Sequence, residues 1–211
     1  MKYPNSLQEL IEYFKLLPGI GEKNAERLAF AVLKFSDEQV EGFSESLKNV
    51  KTKIKKCEIC NNLTENDKCD ICLDQSRSSD VLCVVENTKN LILFEKANVF
   101  NGKYHVLEGL ISPLEGVNPE DIKINQLINR IKDEKIKEVI LALTPNIEGE
   151  TTSGYILKML EECVGRKEEA FLIVPEQQAV SAERLLIDRL GNPANMYVEV
   201  INFKRLCNRV F

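Results

Sequence analysis

Apolar residues recur along this chain in two rhythms, and the change of rhythm divides it. Leu7, Leu10, Ile11, Phe14 and Leu17 keep helical spacing, which predicts a helix over 6–17 with Ser6 as its N-cap. Pro18-Gly19-Ile20-Gly21 breaks it. Ala25, Leu28, Ala29 and Val32 share one face of a second helix, from about Glu22 to Leu33. Asp37 can cap a third, running to about Lys53. From Val81 the texture changes. Residues 81–85, 140–143 and 171–174 are unbroken apolar runs, the mark of strands buried on both faces. Helical stretches are predicted at 119–134, 152–163 and 176–190, and Tyr197 to Ile201 offers one more strand. Strands alternating with helices predict a layered, parallel α/β sheet.

Between the two regions lie Cys57, Cys60, Cys69 and Cys72, spaced C-x2-C-x8-C-x2-C. Each C-x-x-C pair aims two thiolates at one point, and two pairs close a tetrahedron around Zn²⁺. Such a site leaves no open coordination position, so it is structural. Two adjacent disulfides are the alternative, disfavoured in a reducing compartment. Cys83, Cys163 and Cys207 lie apart in apolar surroundings and read as small buried hydrophobes.

The 211 residues suit one large domain or two or three small ones, and 44% hydrophobic content suffices for a core. No apolar run is long enough to span a membrane, and the N-terminus lacks a signal peptide's apolar stretch. A cytoplasmic protein is expected. The formal charge of −5 does not announce a nucleic-acid ligand. Its distribution is more telling: residues 1–56 carry ten Lys/Arg against eight Asp/Glu, with Lys51, Lys53, Lys55 and Lys56 bunched before the first cysteine. A basic head on an acidic body is compatible with DNA contact at one end; on charge alone a solvated helix end is the favoured reading.

Two motifs carry candidate chemistry. In Leu17-Pro18-Gly19-Ile20-Gly21, the glycines permit a tight turn and let main-chain N–H groups approach an anion. The following helix begins at its positive dipole end, and Lys23 and Arg27 stand one turn apart on it. The pattern looks like a helix-hairpin-helix, gripping the phosphate backbone without reading sequence. An ordinary helical hairpin is the plain alternative. In the second motif, Glu86 follows the run Val81 to Val85, and Thr144-Pro145-Asn146-Ile147-Glu148-Gly149-Glu150 follows the second apolar run. Ligand sites in such sheets lie at the carboxyl ends of strands. The arrangement resembles the Toprim motif, in which a glutamate and a D-x-D pair hold Mg²⁺. Here the two aspartate positions read Thr144 and Asn146, so Mg²⁺ should bind weakly although Glu86, Glu148 and Glu150 remain. The lone histidine, His105, has no partnered nucleophile in a recognisable motif and reads as structural. No phosphate-binding G-x-x-x-x-G-K-[ST] loop occurs, which argues against an autonomous ATPase.

In this order the parts resemble the bacterial RecR family of recombination mediators. The matching stretches are Leu17 to Lys23, the four cysteines, Leu82 to Glu86, Tyr104 to Leu107, Leu110 to Gly116 and Glu148 to Thr151. The resemblance covers residues 1 to about 160. It implies a non-enzymatic DNA-binding protein of recombinational repair that works with RecO and RecF to load RecA on gapped DNA. It also implies a homo-oligomer, a dimer or a ring that can encircle DNA. On that reading Gly19, Gly21, Lys23 and Arg27 face DNA, and the Toprim acidic residues Glu86, Glu148 and Glu150 form a partner site. Beyond about residue 160 the likeness changes. Phe171 to Gln177, Ala182 to Leu186 and Val198 to Leu206 resemble an early segment of the B subunit of AddAB-type helicase–nucleases. A composite chain is expected.

The expected fold class is therefore α+β in several parts. A helix-hairpin-helix region spans 1–54, a four-cysteine zinc module 55–78, an α/β Toprim domain with a mainly parallel sheet 79–160, and an atypical strand/helix tail 161–211. Two other functions stay open at this point, a Toprim-type Mg²⁺-dependent nucleic-acid enzyme and a helicase–nuclease accessory fragment.

Overall fold

The computed structural model describes residues 3–98, 100–164, 169–173 and 198–201, with side chains described up to residue 160. The chain divides into two compact units, Met1–Ile54 and Lys55–Phe211.

The first unit holds helices α1 (Asn5–Lys15), α2 (Glu22–Val32) and α3 (Asp37–Lys53). Pro4, not Ser6, occupies the N-cap of α1, and its carbonyl accepts the N–H groups of Leu7 and Gln8, both at 3.0 Å. Proline presets the backbone where the helix begins, so Ser6 falls inside the first turn. At α3 the cap is Ser36, not Asp37. The Ser36 hydroxyl accepts the Gln39 N–H at 3.2 Å, while the Gln39 side chain accepts the Ser36 N–H at 2.9 Å. That reciprocal pair satisfies two amides that a lone aspartate would leave to water. Leu7 and Ile11 of α1 pack on Ala25 and Ala29 of α2, where two small side chains let the helices approach closely. The third helix buries none of its residues.

The second unit begins with a short antiparallel ladder, β1 (Lys55–Lys56) on β2 (Leu63–Thr64), and a one-turn helix α4 (Asp70–Leu73). There follow β3 (Val81–Val85), α5 (Thr88–Ala97), β4 (Lys103–Val106), α6 (Ile124–Glu134), β5 (Glu138–Ala142), α7 (Ile147–Val164), β6 (Glu169–Ile173) and β7 (Val198–Ile201). The last five strands form one sheet in the order β4-β3-β5-β6-β7, every neighbouring pair parallel. Its register places Leu82 beside Val139 and Cys83 beside Ile140. Leu82, Val84, Val139 and Leu141 thus line one face under Leu127 and Ile131 of α6 and Ile156 of α7. Cys83, Val85, Ile140 and Ala142 line the other, with Leu91 and Phe94 of α5. Both faces of β3 and β5 are covered, which is why those two strands read as unbroken apolar runs.

Several boundaries move for local reasons. Helix α6 starts at Ile124 and not near 119, because the Asp121 carboxylate accepts the Asn118 N–H at 2.8 Å and holds a turn. Helix α7 starts at Ile147 and not 152, because Asn146 caps it. Neither α5 nor β4 announces itself by period. The run Leu91-Ile92-Leu93-Phe94 masks helical spacing, and β4 alternates Lys103 and His105 with apolar residues yet is buried throughout. The predicted strands in the tail correspond to β6 and β7, while the helix predicted at 176–190 lies outside the described residues. Of the three scattered cysteines, Cys83 is buried as expected, and the side chains of Cys163 and Cys207 lie outside the described residues. Among the described residues no helix is long and apolar enough to cross a membrane.

His105 on β4 is wholly buried and donates from Nε2 to the Lys123 carbonyl at 3.2 Å, while its Nδ1 has no protein partner. Burial first, then the nearby Arg130 guanidinium, pushes its pKa down from 6.5 to about 4. The folded state therefore favours the neutral ring. Its contribution is present above the unfolded value of 6.5 and is lost as pH falls towards 4. The loss should reach about 3 kcal/mol across that window. Denaturant unfolding at pH 7, 5 and 4 should show this slope, and His105→Gln should flatten it by that amount; parallel pH profiles in the two proteins would refute the assignment.

Candidate metal centre and nucleic-acid interface

The cysteine module is two turns facing each other. In the first, the Cys57 N–H donates to the Asn62 carbonyl at 2.7 Å and the Asn61 N–H to the Cys57 carbonyl at 2.9 Å. Asn61 closes the turn with a φ of 60°, a left-handed conformation that asparagine tolerates better than most residues. In the second, Cys69 begins α4 and its N–H donates to the Cys57 sulfur at 3.3 Å. Cys57 and Cys72 sulfurs lie 3.8 Å apart, Cys60 and Cys69 sulfurs 3.5 Å, and all four sit within 4.8 Å of one another. A tetrahedron with Zn–S bonds of about 2.3 Å requires sulfurs about 3.8 Å apart. The separations are far too long for disulfides. Among the described residues these four are the group of ligating side chains so gathered.

Their electrostatics call for a cation. Hydrogen bonding with Cys69 pushes the Cys60 thiol up, and the same contact pulls Cys69 down. Four crowded sulfurs cannot all ionise alone. A dication lets them all do so, and with four thiolates in place no position is left for substrate. The four cysteines hold one structural Zn²⁺.

The module is fastened to the sheet. The Val106 N–H on the outer side of β4 donates to the Cys60 carbonyl at 2.8 Å. Asn61 Nδ2 donates to the Val106 carbonyl at 3.2 Å and to Gln126 Oε1 at 2.9 Å, and Gln126 Nε2 donates to the Glu58 carbonyl at 2.9 Å. The segment that leads from the module to β3 is anchored too, by Arg77 on the Glu95 carboxylate at 3.0 Å and on the Gly102 carbonyl at 3.3 Å.

In the helical unit, the Ile20 N–H donates to the Leu17 carbonyl at 3.1 Å across Pro18 and Gly19, and Gly19 has a φ of +80°. That is the position of a proline-initiated turn which glycine fills without strain. Gly21 sits extended at the N-cap of α2, with open space where a side chain would stand, and no side chain caps the helix. Lys23 and Arg27 are exposed on α2, and neither enters an ion pair among the described residues. The lysine run is less free than its sequence suggests: Lys55 pairs with Asp67 and Lys56 with Glu108.

At the carboxyl end of the sheet, the Thr144 hydroxyl donates to Glu86 Oε2 at 2.5 Å. Asn146 Oδ1 accepts the Gly149 N–H at 2.8 Å, and its carbonyl accepts the Glu150 N–H at 2.9 Å. Gly149 is required here, since a Cβ would stand 1.8 Å from the Thr144 carbonyl oxygen. Thr144 and Asn146 thus serve the loop, and Glu86, Glu148 and Glu150 do not gather their carboxylates at metal-ligand spacing. The sequence pattern did not reveal the docking roles of Asn61 and Gln126; only the αL preference of an asparagine directly after C-x-x-C hinted at the first.

Models of known families match in chain order: the RecR helix-hairpin-helix over residues 7–51, the RecR four-cysteine zinc finger domain over 54–74 and the Toprim domain over 80–167. Two curated relatives, each named Recombination protein RecR, come from Staphylococcus haemolyticus and Staphylococcus saprophyticus. Each is 48% identical over 161 residues, which is 76% of this chain and 81% of the relative. The chain belongs to the RecR family. Its last part also matches "ADDB, N-terminal" over residues 148–211, so a RecR body continues into an ADDB-like tail, the composite that the sequence implied.

Metal analysis should find one zinc per chain. Cys60→Ser should lose it and melt the module, since structural zinc in small peptides contributes on the order of 10–16 kcal/mol of apparent binding free energy. A folded variant with full zinc content would refute ligation by Cys60.

Proposed function

We propose that this chain is a cytoplasmic, non-catalytic DNA-binding protein of recombinational repair. The observation that carries the reading is the start of α2. A glycine turn leads into a helix N-terminus that no side chain caps, and two exposed cations without an ion pair among the described residues, Lys23 and Arg27, stand one turn apart beside it. Backbone N–H groups, dipole and cations together suit a phosphate backbone and carry no means of reading bases. The RecR relatives support recombination as the process. We assign DNA contact to residues 1–54, the structural zinc module to 55–78 and partner contact to 79–160. Within the last, the edge carrying Glu86, Glu148 and Glu150 would meet RecO, with RecF, during RecA loading. A Toprim-type enzyme is disfavoured by the structural tasks of Thr144 and Asn146, and a helicase–nuclease fragment by the three RecR-type parts.

The helical unit also supports a homo-oligomer. Val40, Phe43, Leu47 and Val50 are all exposed, Leu47 to 58%, and their three-four spacing lines one seam of α3. A second copy would cover it.

For DNA, Lys23→Ala with Arg27→Ala should weaken binding to all sequences alike. It should also reduce the steepness of log affinity against log salt by about 2. Fluorescence anisotropy across a salt series measures both, and an unchanged slope would refute the interface. For assembly, Phe43→Glu with Leu47→Glu should lower the mass seen by light scattering while leaving zinc content intact; an unchanged mass would remove α3 from the interface.

A further inference from the structure

Lys103 is the buried ammonium of the described residues, only 8% exposed at the start of the edge strand β4. A buried cation is costly unless its donors are satisfied. Here Nζ donates to the carbonyls of Ile71 at 2.8 Å, Cys72 at 3.3 Å and Asp74. These three carbonyls belong to the segment that carries the second pair of cysteines, and they cluster at the C-terminal end of α4, where carbonyls lack helical partners.

Three residues along the same strand, Val106 holds the first pair of cysteines through the Cys60 carbonyl. The two halves of the metal site, nine residues apart between Cys60 and Cys69, are thus pinned separately to one short strand. Each half is too small to hold its own geometry. Charge points the same way. Four thiolates around Zn²⁺ leave a net charge of about −2, and Cys57, Cys60 and Cys69 are buried. The lysines of the module itself are exposed: Lys55 and Lys56 pair with Asp67 and Glu108, and Lys68 faces solvent. Lys103 alone places its charge inside, against the module's backbone.

We propose that Lys103 is a positioning residue for the zinc site, fixing the Cys69–Cys72 half against β4 and offsetting the charge of the tetrathiolate. Zinc affinity is then a property of the sheet as well as of the four cysteines. Outer partners of metal ligands commonly change affinity 10–100-fold when removed.

The test uses the full chain. Zinc affinity is measured by competition with a chelator of known affinity, and Co²⁺ is titrated in parallel, since its visible bands report tetrahedral thiolate ligation. Lys103→Met should bind both metals 10–100-fold more weakly while keeping the tetrahedral Co²⁺ spectrum at saturation. Lys103→Arg should recover most of the loss, and Lys103→Gln should fall between. Arg130→Met is the control for the edge strand: Arg130 is also buried and donates to the Tyr104 carbonyl at 2.6 Å, but among the described residues its hydrogen-bond partners, Tyr104 and Glu134, lie outside the module. It should lower stability and leave metal affinity unchanged. The proposal is overturned if Lys103→Met binds zinc like the parent, if the Arg variant is no better than Met, or if Arg130→Met weakens zinc equally. It is also overturned if neither Lys103→Met nor Lys103→Gln folds at saturating zinc, because the ammonium would then belong to the sheet and not to the metal.

Discussion

Four sulfurs confined within 4.8 Å of one another repel as they ionise, and the junction of module and sheet depends on a dication that cancels this repulsion. With the metal bound, the turn at Cys57–Asn62 is rigid enough to present its carbonyls, and one of them takes the Val106 N–H. That contact does more than anchor the module. β4 is the outermost strand of its sheet, and an exposed edge is a template for unwanted pairing. Cys60, Asn61 and Arg130 occupy three of its outward backbone groups. The zinc module is therefore also the cover of the sheet's edge, which explains why β4 is buried at every position although it pairs on one side only.

Legibility in the sequence followed the locality of the cause. The cysteine spacing was readable because each C-x-x-C acts within one turn. The buried strands were readable because parallel pairing under two helical layers demands apolar residues at every position. The helical hairpin was readable because Gly19 must reach a positive φ. Features that depend on distant partners were not. Lys103 looks like a surface residue until α4 closes over it, and His105, read as structural, did not reveal its partner at Lys123. Helix α5 was hidden by apolar residues on all its sides, although Asn87 as cap and Asn98 in the αL conformation mark its two ends. Ser36 was a local signal, a Ser-x-x-Gln box, that a nearby aspartate obscured.

At the carboxyl end of the sheet, Thr144 and Asn146 hold the loop together. An aspartate pair there would present acceptors to a cation and leave the loop to be held by other means. Thr144 instead donates to Glu86, turning a potential metal ligand into a hydrogen-bond acceptor already engaged. Asn146 spends its side-chain oxygen on the first turn of α7. Both residues stabilise the loop with groups that an octahedral Mg²⁺ site would need free. Glu148 and Glu150 remain as negative charge without a common focus.

The ADDB-like tail is tolerated for a related reason. A parallel sheet asks its next strand for extended backbone, the right register and apolar side chains, and does not ask for ancestry. β6 meets that demand, pairing Val139 with Ala170 and Ile140 with Phe171, and β7 continues from it with Leu172 beside Val200. The constraint comes from β5, whose free edge would otherwise be exposed in the middle of the second unit. Any segment that arrives after α7 with a short apolar run and a crossover long enough to return it in parallel relieves that constraint. The family boundary near residue 160 is thus a boundary of sequence that falls inside one continuous sheet.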